Sequence, residues 1–214
     1  MNIASRLKLA GFASLLFVVV YAPAFATVAL LRPSVRVTIP LIIIISAGLA
    51  ALLIVLRAGG AQGIAEFGIA LSPASYVLAA TLAGILVGSA LAYLSAVYPA
   101  TAPLDLSTLR PWMVFVFFVI AAPIQEELIF RGLLQTTMAR AVSAPESFWD
   151  VHFPVAFVAA LFGAIHLDSG LVVAAGALLL GLIAGELRRM SGSLAPAILF
   201  HALLNAASAL WPAR

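Results

Sequence analysis

The sequence predicts an all-α fold, a polytopic transmembrane bundle of about seven helices with its polar chemistry gathered between the late helices. Three observations predict it. The chain of 214 residues is 64% hydrophobic and only 9% charged, against about 45–50% and about 25% in a soluble domain. Apolar runs recur at close to the ~20 residues that cross a bilayer. Pro, Gly and Arg punctuate those runs, and none of the first three contains a charged residue. There is no Cys, which excludes disulfides and thiolate metal ligands. The net charge of +3 comes from few, scattered residues. Without a long basic cluster, the expected partner is the lipid bilayer and not a nucleic acid.

The first run covers about Leu9–Leu31. Arg6 and Lys8 precede it, and Ala24-Phe25-Ala26 resembles a signal-peptidase site. The apolar run nevertheless continues through Val28 to Leu31, long enough to span, so a retained first helix is expected. The second run covers about Thr38–Leu56, set off by Arg32, Pro33 and Arg36. A Gly-rich linker follows over 57–75, and its AEFGIALSPASY suits an interface. The third run, Tyr76–Val97, ends at Tyr98 and Pro99.

The fourth begins at Pro111-Trp112, a pair suited to a first helical turn at the membrane interface, and continues to Arg140. Its roughly 30 residues would reach about 45 Å, so it overshoots the hydrocarbon or tilts. The polar stretch Ala141–His152 predicts a loop, with His152 a plain surface residue. The fifth run, Phe153–His166, is short for a span. The sixth, Leu171–Leu187, closes on Arg188-Arg189, which with Glu186 read as a solvated helix end. The last run is Leu194–Trp211, behind the helix-start signal Ser191-Gly192-Ser193. No repeat or second domain is visible, so 1–214 is expected to form one integral membrane domain. Arg6, Lys8, Arg57, Arg140, Arg188 and Arg189 favour a cytoplasmic N-terminus, against Arg32, Arg36, Arg110 and Arg214.

Ionisable residues inside a span are costly and usually functional. In PIQEELIFRGLLQ, Glu127 and Arg131 are four apart and share a helix face in the favourable order. They can neutralise each other. Glu126 lies about 100° round the helix and is left to face something else. Pro123 predicts a kink and an unpaired Val119 carbonyl, tolerated only beside protein or a wet cavity. Gly132 allows another helix to approach, and Gly181 and Gly185 form a packing face.

Phe162 and His166 are four apart on the fifth helix; His201 and Asn205 are four apart on the last, and Ser208 continues that stripe. Each of these residues alone reads as a packing or hydrogen-bonding residue between helices. Together they offer a free carboxylate, two imidazoles and an amide. A carboxylate in an apolar site suits general-base duty, a histidine beside it can orient a water, and a second histidine with an amide can donate to an oxyanion. That set equips a site for hydrolysing an acyl bond with water. The same Glu/His/His set could instead hold zinc, although H-E-x-x-H is absent. A proton-coupled transporter and a non-catalytic immunity or scaffold protein are the other readings, the first disfavoured by the lack of repeats.

E-E-x-x-x-R (Glu126, Glu127, Arg131), F-x-x-x-H (Phe162, His166) and H-x-x-x-N (His201, Asn205), in this order on late membrane helices, resemble the CAAX prenyl protease and bacteriocin-processing family, also called the ABI or type II CAAX protease family. The resemblance covers about Pro111–Trp211. It implies 1–110 as N-terminal transmembrane helices and 111–211 as a catalytic core, with the active site between the late helices. It implies an intramembrane glutamate-type endopeptidase without metal or other cofactor. Glu126 and His166 would activate water, His201 and Asn205 would stabilise the oxyanion, and Glu127, Arg131 and Phe162 would support the site. The implied partner is a peptide or membrane-protein substrate, prenylated in the eukaryotic branch, whereas prokaryotic members generally lack such substrates and act in bacteriocin maturation or immunity or on none yet known. The implied location is a prokaryotic cell (inner) membrane.

Overall fold

A computed structural model describes residues 1–31, 38–97, 110–142 and 147–210. These residues form seven helices and no strand: α1 (Ile3–Leu31), α2 (Thr38–Gly63), α3 (Ala74–Val97), α4 (Pro111–Ala141), α5 (Phe148–Ala164), α6 (Leu171–Ser191) and α7 (Ala195–Leu210). Helices α1, α2, α3, α4 and α6 are long and apolar enough to cross a membrane. Large side chains such as Leu15, Leu53, Leu82 and Phe115 are exposed along them, as a lipid-facing surface requires. The chain is an integral membrane helical bundle. Arg32, Pro33, Arg36, Tyr98, Pro99, Trp211 and Arg214 lie outside the described residues.

Several boundaries move from the sequence reading. Helix α2 continues past Leu56 to Gly63, so the linker narrows to a tight turn at Ile64–Gly68 and a short irregular piece. Helix α5 begins at Phe148, where the sequence suggested a loop, because the Ser147 hydroxyl accepts the Asp150 N–H at 3.3 Å and starts the helix. His152 therefore sits on a helix. Its Nδ1 lies 2.7 Å from Glu186 Oε1 and its ring packs on Phe148. Helix α6 runs on through Arg188 to Ser191 and stops where Gly192 adopts φ +70°, a left-handed cap that favours glycine.

Arg188 is not solvated. It is buried, and its Nη2 donates to the Glu66 carbonyl at 2.7 Å and to Thr136 Oγ1 at 3.3 Å. It thereby clamps the turn after α2 onto α4 and α6. Phe67 from that turn is buried, and its carbonyl, rather than another helix, lies against Gly132. Arg140 pairs with Glu66, and Arg6 with the buried Asp150 at 3.0 Å. Cations from α1, α4 and α6 thus collect at one end of the bundle.

Two pairs of glycines set the helix packing around the polar core. A Cβ on Gly181 or Gly185 of α6 would stand 2.8 Å from Ala159 or 2.7 Å from Val155, so these glycines let α5 lie against α6. A Cβ on Gly84 or Gly88 of α3 would stand 2.9 Å from Leu203 or 3.0 Å from Leu204. This second pair, not singled out from sequence, brings α3 and α7 backbone to backbone. It fixes the face of α7 that carries Leu203 and Leu204, and so turns His201 and Asn205 toward α4.

Candidate active site

Helix α4 supplies the two carboxylates from a short α-helical piece in its middle. Ala122–Glu127 is α-helical, flanked by π-helical turns at Val114–Ala121 and Leu128–Gln135. Within the α-helical piece, neighbours point about 100° apart, so Glu126 and Glu127 face different surroundings. Pro123 explains the change upstream. The Ala122 N–H reaches back to the Phe117 carbonyl, five residues away. In that register the carbonyl facing the missing proline N–H is that of Phe118, not Val119 as an α-helical count suggests. Asn205 Nδ2 donates to the Phe118 carbonyl at 2.9 Å. The group orphaned by Pro123 is thus satisfied by α7, which leaves the second N–H of the same amide free.

Glu127 is completely buried and is gripped from both sides. Its Oε2 lies 3.1 Å from Arg131 Nε, and its Oε1 lies 2.9 Å from His201 Nδ1. The approach to Arg131 is a close ion pair without the angle of a hydrogen bond. Arg131 is itself fully buried, and its guanidinium lies 5.0 Å from the centre of the Phe162 ring and 5.8 Å from that of Phe130. Cation–π attraction of about 0.5–2 kcal/mol supplements the ion pair there.

Phe162 is more than filler. Its ring contacts Phe130 at 4.8 Å, His166 at 4.7 Å and His201 at 5.9 Å, besides Arg131. One buried ring therefore lies against Arg131 and both histidines.

His166 lies just beyond the end of α5 rather than on it. The helix stops at Ala164, and a 3₁₀ turn follows at Leu167–Ser169. His166 Nδ1 lies 2.7 Å from the Phe162 carbonyl, one of the acceptors a helix leaves open at its C-terminus. A carbonyl only accepts, so Nδ1 carries the proton, and Nε2 of the neutral ring is an acceptor. The same logic holds at His201, where Nδ1 donates to the Glu127 carboxylate. Its Nε2 lies 3.7 Å from Glu126 Oε2. Both imidazoles are held by one nitrogen and keep the other for chemistry.

Glu126, His166, His201 and Asn205 line one cavity of about 570 Å³. Glu126 keeps 23% of its side chain accessible, whereas Glu127 keeps none. Ser208 also lines the cavity, but its hydroxyl is turned back to the Leu204 carbonyl. The remaining wall is mostly apolar and comes largely from outside the late motifs: Pro40 and Ile44 of α2, Leu91 of α3 and Val172 of α6. Tyr21 of α1 and Gln125 of α4 also line it, and the sequence reading missed both. Tyr21 is the one tyrosine of the first apolar run, the only signal that could have marked it. Among the described residues, no group of three or more His, Asp or Glu side chains is arranged to hold a metal ion.

The model of one protein family, the Rce1-like type II CAAX prenyl endopeptidases, matches residues 108–207. No curated protein and no solved structure matches the chain. The matched segment holds all seven motif residues, from Glu126 to Asn205, and all of α4, α5 and α6. Residues 108–207, just under half of the chain, are thus similar to the Rce1-like family of type II CAAX prenyl endopeptidases.

Proposed function

We propose that this chain is a glutamate-type intramembrane endopeptidase in which Glu126 is the general base. The observation that carries this reading is the unequal setting of two adjacent carboxylates. Glu127 is consumed by Arg131 and His201, while Glu126 remains accessible in the cavity, opposite His201 Nε2. Glu126 takes a proton from a water that His166 Nε2 helps to orient. The resulting hydroxide attacks the carbonyl carbon of the scissile peptide, and the carbonyl oxygen becomes an oxyanion. The free N–H of Asn205, and Nε2 of His201 when that ring carries both protons, donate to the oxyanion. The C–N bond then breaks, and the leaving amine takes the proton held by Glu126. One water is added across one peptide bond. Glu127, Arg131 and Phe162 support the site by fixing the His201 and His166 rings.

The family name specifies a prenylated CAAX substrate. The apolar wall from α2, α3 and α6 supports a lipidated peptide for this chain as well. Residues 1–110 then complete the cavity around the core at 111–211, as parts of one membrane domain. The test is hydrolysis of a farnesylated CAAX peptide by purified protein, read by mass spectrometry, alongside membrane proteomics of cells expressing wild type or Glu126→Ala. Glu126→Gln and His201→Ala are expected to abolish product while the protein remains folded in detergent. Undiminished hydrolysis by either variant would sink the mechanism. Proton-coupled flux in liposomes that is lost in Glu126→Gln would favour a transporter. Loss of activity to chelators would restore the zinc version.

A further inference from the structure

Tyr21 is a buried tyrosine on a helix outside the family-matched segment, yet it lines the cavity beside the proposed base. Its ring is held by Phe17 at 4.6 Å and lies 6.3 Å from Phe25, one turn away on each side. Its hydroxyl oxygen accepts from Gln125 Nε2 at 3.3 Å. Gln125 is buried too, and packs where α2 has Gly48; a Cβ there would lie 3.1 Å from Gln125 Cγ. Among the described residues this is the only hydrogen bond of the Tyr21 hydroxyl. Because that bond uses a lone pair, the O–H proton remains to be donated.

A buried donor without an acceptor is costly, and an apolar membrane helix gains nothing in packing from a hydroxyl. The acceptor therefore belongs in the cavity. Gln125, which holds the Tyr21 hydroxyl, directly precedes Glu126 on α4, and all three residues line the cavity, so the hydroxyl and the proposed base serve the same cavity. Neither His201 nor Asn205 fills that role from this side, since both project from α7.

We propose that Tyr21 is a substrate-contacting residue whose hydroxyl donates a hydrogen bond to the carbonyl of the peptide held before Glu126, which makes α1 part of the active site. Gln125 is the positioning residue that orients this hydroxyl by occupying its lone pair. The role rests on the peptide lying before Glu126, as in the endopeptidase reading.

The test measures binding in the Glu126→Gln background, where no turnover complicates the reading. The probes are two farnesylated CAAX peptides, one natural and one with the scissile carbonyl reduced to a methylene. Tyr21→Phe keeps the ring and its stacking. It is expected to weaken binding of the natural peptide about fivefold, the size of one neutral hydrogen bond, and to leave the reduced peptide unaffected. With Glu126 intact, Tyr21→Phe should lower kcat/KM at least as much, at unchanged thermal stability. Gln125→Leu should weaken the natural peptide less than Tyr21→Phe does. Equal binding of the natural peptide by both forms overturns the proposal, and so does an equal loss for both peptides, which would mark a packing effect. If wild type binds the natural peptide without cleaving it, the endopeptidase reading fails, and the binding comparison still decides Tyr21.

Discussion

Helices α1 to α3 and helices α4 to α7 line the same cavity but contribute to it by different physics. The late helices bring Glu126, Glu127, Arg131, His166, His201 and Asn205, and nearly every one is held by a named partner from another helix or the preceding turn. The early helices bring shape: Pro40, Ile44 and Leu91 on the wall, Gly48, Gly84 and Gly88 at close approaches, and a single hydroxyl at Tyr21. A lesion among the late helices therefore strands a charge, whereas a lesion among the early ones displaces a helix or removes one bond. The two kinds of damage differ in size, and in whether activity and stability are lost together.

The largest effect is expected at Glu127. Glu127→Ala leaves the Arg131 guanidinium fully buried without its counter-charge, and frees His201 Nδ1. Breaking such a pair costs about 3–5 kcal/mol, to be read from unfolding in mixed micelles, and activity should fall with it. Glu126→Gln should do the opposite. It is expected to remove about 10²–10⁴-fold or more of the rate, while stability changes by less than about 1 kcal/mol, because the approach of partly exposed Glu126 to His201 Nε2 is long, at 3.7 Å. If Glu126→Gln destabilises the protein as much as Glu127→Ala does, the division between a working and a supporting carboxylate is broken.

Next in size come the glycines. Gly181→Ala places a methyl 2.8 Å from the Ala159 Cα, a backbone atom that cannot step aside. Overpacking of this kind costs about 1–3 kcal/mol. Gly88→Ala meets the Leu204 Cα at 3.0 Å, and Leu204 precedes Asn205. The early-helix substitution is thus expected to lower stability within that range, and in addition to lower kcat by shifting the amide that holds Phe118. If Gly88→Ala leaves kcat unchanged, α3 does not set the position of α7.

How much of this was legible beforehand follows the same split. Charges inside apolar runs stand out, and the four-residue spacings of Glu127–Arg131 and His201–Asn205 already said which side chains share a face. Helical spacing also separated Glu126 from Glu127, because the segment that carries them is α-helical. Counting failed where the helix changed period: the π-helical turns moved the orphaned carbonyl from Val119 to Phe118. Composition failed at Arg188, where a terminal arginine that looked solvated closes over the turn after α2 through a backbone carbonyl, which leaves no pattern in the sequence. Tyr21 and Gly84 were hidden for a related reason. An uncharged hydroxyl or a small residue in an apolar run is ordinary until the helix it meets is known.

The smallest effect is expected where charge sits outside the core. Arg140 and Glu66 are paired, but both are well exposed, at 43% and 61%. An exposed pair contributes about 0–1 kcal/mol and is screened by salt. Glu66 also serves Arg188, but through its main-chain carbonyl, which a side-chain substitution leaves in place. Glu66→Gln should therefore cost less than about 1 kcal/mol, and the difference from wild type should shrink further in high salt. Arg188→Met removes charged hydrogen bonds from a buried site and should cost about 1.5–3 kcal/mol whatever the salt. Were Glu66→Gln the more damaging of the two, the turn after α2 would be held by its side-chain ion pair and not by Arg188. The early helices would then depend on charge after all, and the contrast between the two halves would lose its basis.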